Sequence, residues 1–372
     1  LDNYRKNIYK GVVKNDNSNL IIVSNFAHLK NNKSDMNFFS YQWGNLNQIL
    51  KKNNIKSLWI HNFMKNPQYK NIKSADKYLG LINQNSKHEK HLFLNSFFDF
   101  QMYLKTLFSF LFIYFKNFYL YKNILNAEYR KIYIKPVVYL QKNDICVSFY
   151  GEVLFNNLMT INLYRKIFHY LKKNKSCLYL KEGQPWEQAL LYNWQKNKFK
   201  GKTYGYAHTT VNYWHLNYFN DVKSIKKKQI FYPYKILVSG NLAKKNFIKY
   251  GIKNLQEVEN LRYSYPDEKK FQNKRKKINK YKKLLFLGDA FEKTNDRILN
   301  LAKKVQSYSN KKYFIAFKPY PADIKKYHNL KKIHITENTL PNLFNEFDLF
   351  IISRSSAASI ECLIKKKSVF IY

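Results

Sequence analysis

A chain of 372 residues is long enough for two α/β domains, each with its own core. Lys and Arg outnumber Asp and Glu by 66 to 24, a formal charge of +42, which points to an anionic partner: a phosphorylated donor, an anionic membrane surface or nucleic acid. Over-use of Lys, Asn, Tyr, Phe and Ile, expected of a genome rich in A and T, explains the same excess with no partner at all. Cys146, Cys177 and Cys362 show no paired spacing, so they give neither a disulfide framework nor a zinc site and fit a reducing compartment.

In chain order, Leu20–Ser24 reads as a strand, Trp43–Asn53 as a helix and Ser57–His61 as a second strand, the alternation of a parallel sheet. Lys87–Ile134 reads as mostly helical, aromatic and basic. Its most apolar run, Thr106–Phe115, falls well short of the ~20 residues that span a bilayer. It suits a buried helix or a Lys-flanked surface resting on a membrane. Val147–Tyr150 reads as a short strand, Asn157–Lys173 as a helix. The charged stretch Asp221–Gln229 and Pro233 suggest a boundary between Asn220 and Lys235, giving domains 1–230 and 231–372. Strands follow at Ile236–Ser239, Leu284–Leu287, Tyr313–Phe317, Ile333–Ile335, Phe347–Ile352 and Val369–Tyr372. Helices are expected at Asp296–Tyr308 and Ser359–Ile364. No signal peptide is visible, although the sequence opens at Leu1 and not at Met.

The stretch Cys177–Thr210 organises the rest. The apolar run Cys177–Leu180 suits a buried strand, which Gly183 and Pro185 end. Pro185 opens a helix with Trp186, Ala189, Leu190 and Trp194 on one side. A second strand, Lys202–Ala207, delivers His208. Glu182 and His208 thus stand just past the C-terminal ends of two strands, where open α/β sheets bind ligands. A carboxylate there is a candidate general base, His208 a second one, and Glu187 on the following helix can orient either or cap its own helix.

The run E-G-Q-P-W-E at Glu182–Glu187 and G-Y-A-H at Gly205–His208 resembles a family of surface-carbohydrate biosynthesis proteins from bacterial polysaccharide loci. W-G-N-L at Trp43–Leu46, V-S-G-N-L-A at Val238–Ala243 and E-V-E-N-L-R-Y at Glu257–Tyr263 agree in order with it. That family resembles glycosyltransferases of the GT-B architecture. The resemblance implies an α/β fold of two facing Rossmann-like domains, an N-terminal acceptor domain and a C-terminal donor domain. It implies a nucleotide-sugar donor, a glycan or lipid-linked glycan acceptor, and a place on the cytoplasmic side, peripheral to the inner membrane. GT-B enzymes often end in a helix that folds back on the first domain; this sequence stops before one.

The donor readings lie in the second half. The S-R-S-S run puts Ser353, Ser355 and Ser356, with Arg354, where a strand runs into a helix, a place with hydroxyls and free backbone N–H groups for phosphate. A serine there is also an ordinary cap. Glu361 is spaced to reach ribose hydroxyls, or is simply a solvated helix residue. Gly288-Asp289 closes one strand and Lys318-Pro319 another. Bacterial GT-B sialyltransferases carry an acidic-acidic-Gly, a His-Pro and a paired-serine motif. Lys181-Glu182-Gly183, Lys318-Pro319 and Ser355-Ser356 match them in part, which suggests a CMP-activated ulosonic acid as donor. Lys318 in the histidine's place offers a point charge to phosphate. Arg262 offers another, or an ion pair with Glu257 or Glu259.

No dinucleotide fingerprint, Walker loop, H-E-x-x-H, G-x-S-x-G or D-x-D occurs, so the expected reaction needs no bound cofactor or metal ion. Two alternatives stand beside it. One is transfer of a polyol phosphate from a CDP-alcohol on the same fold. The other is a non-catalytic basic protein that binds nucleic acid, against which no nucleic-acid signature appears.

Overall fold

The computed structural model describes residues 11–14, 16–26, 29, 38–65, 69–130, 144, 146–209, 211, 218, 222–227, 229–263, 282–289, 291–309, 312–320, 323–327, 333–353, 356 and 358–372. The chain forms two compact units, Leu1–Ser264 and Tyr265–Tyr372.

The first unit is built on a parallel sheet. In chain order its elements are β1 (Leu20–Phe26), α1 (Leu46–Lys52), β2 (Ser57–Phe63), α2 (Ile72–Asn85), β3 (Glu89–Phe93), α3 (Phe100–Arg130), α4 (Glu152–Tyr170), β4 (Ser176–Leu180), α5 (Pro185–Lys196), β5 (Thr203–Ala207), β6 (Lys235–Ser239), α6 (Asn241–Lys249) and β7 (Leu255–Val258). The strand order is β3-β2-β1-β4-β5-β6-β7. β1 pairs with β2 from Leu20 opposite Ser57 and with β4 from Leu20 opposite Ser176. Strand order therefore reverses between β1 and β4, and the C-terminal side of such a reversal is where open α/β sheets bind ligands.

Alternation along β1 builds both faces of this sheet, as the period of 2 requires. Ile21 and Val23 pack with Leu58, Ile60, Tyr164, Ile167, Phe168 and Trp194 on one side. Ile22 and Phe26 pack with Trp43, Trp59, Leu79, Phe93 and Tyr206 on the other. The near-continuous apolar strands are those expected of a sheet covered on both faces.

The second unit repeats the scheme: β8 (Lys282–Leu287), α7 (Glu292–Tyr308), β9 (Tyr313–Lys318), β10 (His334–Ile335), β11 (Leu349–Ile352), α8 (Ala358–Ile364) and β12 (Ser368–Ile371). The order β10-β9-β8-β11-β12 is again parallel and reverses between β8 and β11. Leu284 and Phe286 face α7, and Leu285 and Leu287 face Leu343, Phe350 and Cys362. Each unit is thus a doubly wound, Rossmann-like sheet, in agreement with the expected fold class.

Three details depart from the sequence reading. The first unit does not end at 230: β6 pairs with β5 and β7 with β6, so the boundary falls after Ser264. The basic stretch before Pro233 is a connection within one sheet, because Ile236 and Val238 are buried beside Ala207 and Phe247. Residues 147–150 are helical. Tyr150 packs edge-on to Tyr114 of α3 at 5.2 Å, a tertiary contact that decides a run too short for periodicity to assign. Lys87–Ile134 is mostly helical, as expected, but it opens with a strand absent from the sequence reading: β3 occupies Glu89–Phe93 and pairs along β2 before α3 begins.

Candidate active site

Every stretch that carried the family resemblance lies at the C-terminal rim of the first sheet. Trp43 follows β1, Glu182–Glu187 follows β4, His208 ends β5, Gly240 joins β6 to α6, and Asn260–Tyr263 follows β7. Trp43 is buried, donates from Nε1 to the Ser24 hydroxyl at 2.8 Å and stacks on Tyr206 at 5.5 Å. The Tyr206 hydroxyl donates to Asn260 Oδ1 at 3.2 Å and accepts the Leu261 N–H at 2.9 Å. These contacts tie the loops after β1, β5 and β7 together.

Glu182 stands at the reversal point. Asn25, next to last in β1, donates from Nδ2 to Glu182 Oε2 at 3.2 Å. His208 Nε2 lies 3.5 Å from Glu182 Oε1. Gly183 has φ of 75°, a left-handed conformation that glycine adopts without strain, and it turns the chain from β4 into α5. Pro185 then opens the helix.

Beneath Glu182 lies Glu187, almost fully buried. Its Oε1 accepts the backbone N–H of Glu182 at 2.7 Å and of Gln184 at 2.8 Å, so it both caps α5 and fixes the Glu182 loop. Its Oε2 is 3.5 Å from Nζ of Lys181, which is buried too. The rings of Tyr232 and Tyr218 flank that ammonium at 5.6 and 5.9 Å.

This surrounding sets the acidity of Glu182. Burial pushes its pKa above 4.5, and the nearby Glu187 charge pushes the same way. The Asn25 hydrogen bond and the Arg262 charge oppose the rise. The result is a carboxylate with about a quarter of its side chain exposed, more basic than an ordinary glutamate and held from behind by a buried ion pair. Burial also raises the Tyr218 hydroxyl well above its usual range; it shares a 2.9 Å hydrogen bond with Thr209, one residue past His208.

The remaining expected residues sit on separate units. Arg262 belongs to the first: its guanidinium lies 5.8 Å from the Tyr263 ring centre and acts on Glu182 through charge. Gly288, Asp289, Lys318, Pro319, Ser353, Ser356 and Glu361 belong to the second. There the Ser353 hydroxyl donates to Asp289 Oδ2 across the reversal between β8 and β11, and both residues are buried. The Asp289 N–H donates to Asn295 Oδ1 at 2.6 Å and Asn295 Nδ2 returns a bond to the Asp289 carbonyl at 2.8 Å. A side chain at Gly288 would meet Asn295, Pro319 and the Tyr320 N–H within about 3 Å, so these loops close on glycine.

Ser353 is therefore turned inward onto a carboxylate, and Ser356 stands 3.4 Å from the Ala358 N–H, the place of a cap. Ser355 and Arg354 lie outside the described residues. Glu361 is half-buried on α8 beside Cys362, whose thiol is pushed up to about 12 by burial and by the Glu361 charge. Lys318 ends β9 partly buried. Burial lowers its pKa and Glu337 partly offsets this. Pro319 follows it. Among the described residues no three His, Cys, Asp or Glu side chains are grouped as metal ligands.

Asn25, Tyr218 and Asn295 have no place in the sequence reading, and Lys181 enters it only as a motif position. Asn25 had a signal: it stands two residues past the apolar run Leu20–Val23, as Glu182 stands two past Cys177–Leu180.

A solved structure of α,α-trehalose 6-phosphate synthase from Burkholderia multivorans is similar to 95% of this chain and 87% of its own, at 9% identity and a TM-score of 0.49. No protein-family model matches the sequence, and no curated protein does.

Proposed function

We propose that the chain is a glycosyltransferase that moves a sugar from a nucleotide donor to an acceptor hydroxyl, with Glu182 as general base. The observation that supports it best is the Glu182 site. A part-exposed carboxylate of raised pKa, at the reversal point of a parallel sheet, is braced by Asn25, His208 and a buried Lys181–Glu187 pair. Such a carboxylate is poised to take the proton of an acceptor hydroxyl as that oxygen bonds to the anomeric carbon. The sugar–phosphate bond breaks in the same step, and the electron pair leaves with the nucleotide. His208 restrains the carboxylate, and Glu187 acts through backbone position and not on substrate.

On this reading Arg262, whose charge acts on Glu182, offsets phosphate charge. The acceptor is a surface glycan and the donor a CMP-activated ulosonic acid, transferred without a divalent ion; these finer points rest on the motif resemblance. A thermal-shift panel of CMP, CDP, UDP, GDP and dTDP, each with and without Mg²⁺, tests it. A nucleotide at ~100 times its Kd adds roughly 2.7 kcal/mol of stability. Stabilisation by CMP alone, independent of Mg²⁺, supports the donor class. CDP with turnover of a CDP-alcohol replaces sugar transfer by polyol-phosphate transfer, and silence across the panel overturns the transferase reading.

A further inference from the structure

The α3 helix presents two unlike sides. Its start is fixed: Asp99 accepts the Met102 N–H at 2.8 Å and pairs with Lys166 of α4. Thr106 is buried and accepts from Asn162 of α4 at 2.8 Å, so Met102 and Thr106 mark the packed side. The opposite side carries Phe100, Leu104, Phe108, Leu111, Phe112 and Phe115. At 3.6 residues per turn these six fall within an arc of about 120°. The four phenylalanines are 71%, 69%, 67% and 70% exposed in that order. Lys105 and Lys116, both exposed, fall beside that arc, and Lys116 Nζ lies 5.9 Å from the Phe112 ring centre.

We infer that this face of α3 docks onto an anionic lipid bilayer, lying in the plane of the interface with its phenylalanines among the acyl chains and its lysines at the headgroups. A contiguous apolar stripe of this size on a soluble unit marks an interaction surface. Charge selects the occupant. With +42 on every copy, self-association through this face brings like charge together, whereas an anionic bilayer compensates it. Among the described residues no helix is long and apolar enough to cross a membrane, so the geometry is that of an interfacial helix. The inference is independent of the transferase reading, because lipid binding is measured without substrate.

Co-flotation with phosphatidylcholine vesicles, with and without phosphatidylglycerol, at low and high salt, is the test. The protein is expected to float with the phosphatidylglycerol vesicles and to be released by salt. The paired variant Phe108→Ser/Phe112→Ser should weaken partitioning roughly tenfold for each ring removed, with an unchanged melting temperature because the rings are exposed. Phe100→Ser/Phe115→Ser on the same face should do likewise. Lys105→Glu/Lys116→Glu should cost about fivefold or more per reversed charge and flatten the salt dependence. The inference is overturned if the chain ignores anionic vesicles, or if both phenylalanine variants float like wild type, which leaves only diffuse charge attraction. It is also overturned if wild type elutes as a dimer that these variants convert to a monomer, since the face would then be covered by a second copy.

Discussion

Each sheet carries a hydrogen bond across the point where its strand order reverses, Asn25 to Glu182 in the first unit and Ser353 to Asp289 in the second. In the second, the carboxylate is buried and its oxygens accept from Ser353 and, at 3.4 Å, from the Phe291 N–H, while Asn295 clamps its backbone. In the first, the amide holds one oxygen, the other lies 3.5 Å from His208 Nε2, and part of the group stays open to solvent. One topological feature is thus a closed seam in one unit and, on the proposed reading, the general base in the other. What separates them is the support behind the acid: Glu187 and Lys181 hold the Glu182 loop from below.

The sharpest way to break the comparison is to neutralise each acid in turn. Glu182→Gln should lower kcat for transfer by roughly 10²–10⁴, the usual share of a general base. Its melting temperature should hold or rise, because an acid whose folded pKa is raised costs stability when ionised. In wild type the acid limb of kcat/KM should lie above 4.5, and it should vanish in the variant. An acid limb that persists in Glu182→Gln would pass the base role to His208.

Support from below is tested next. Glu187→Ala leaves Lys181 buried beside Tyr218 and Tyr232 without its carboxylate and two backbone N–H groups without an acceptor. A loss of about 3–5 kcal/mol is expected in denaturant unfolding. The double variant Lys181→Met/Glu187→Leu should recover only part, since the N–H groups of Glu182 and Gln184 still lack a partner. Full recovery would reduce Glu187 to an ion-pair partner and remove its positioning role.

How far the sequence shows this contrast follows from which signals are local. β1, β4, β8 and β11 are short apolar runs closed by polar or glycine residues, and the rim positions Glu182 and His208 follow from them. β3 was hidden because Glu89-Lys90 opens it with charge inside an aromatic stretch that reads as helix. β7 was hidden because, as the last strand of its sheet, it shows Gln256 and Glu257 to solvent. The domain boundary was misplaced since a basic run between β5 and β6 looks the same as a linker. Ser353 was misread for a different reason: three serines at a strand end look like phosphate donors, and only the fold shows that Asp289, distant in sequence, claims one of them.

At the second unit's seam, Ser353→Ala removes one donor from a buried carboxylate and should cost about 1–3 kcal/mol of that unit's stability. The acid limb assigned to Glu182 should stay where it is. A shift of that limb in Ser353→Ala would show that the seam takes part in the chemistry, and the two carboxylates would no longer differ in kind.

The smallest effect separates the units by pH. His61 is fully buried on β2, 3.0 Å from His91 ring nitrogen to ring nitrogen, and packs beside the rings of Trp59 and Phe38. Burial and the His91 charge hold its pKa well below 6.5. The unfolded chain therefore takes up this proton first as pH falls through about 6.5, and stability present above that point is lost below it. The slope for one such site is at most about 1.4 kcal/mol per pH unit. Among the described residues the second unit's histidine, His334, is exposed. Hydrogen exchange of β2 and of β8 between pH 7 and 5.5 should show the first strand losing protection sooner, and His61→Gln should abolish that difference in slope. Equal slopes for the two strands in wild type would mean that the units unfold together and that the buried imidazole pair is not what limits the first.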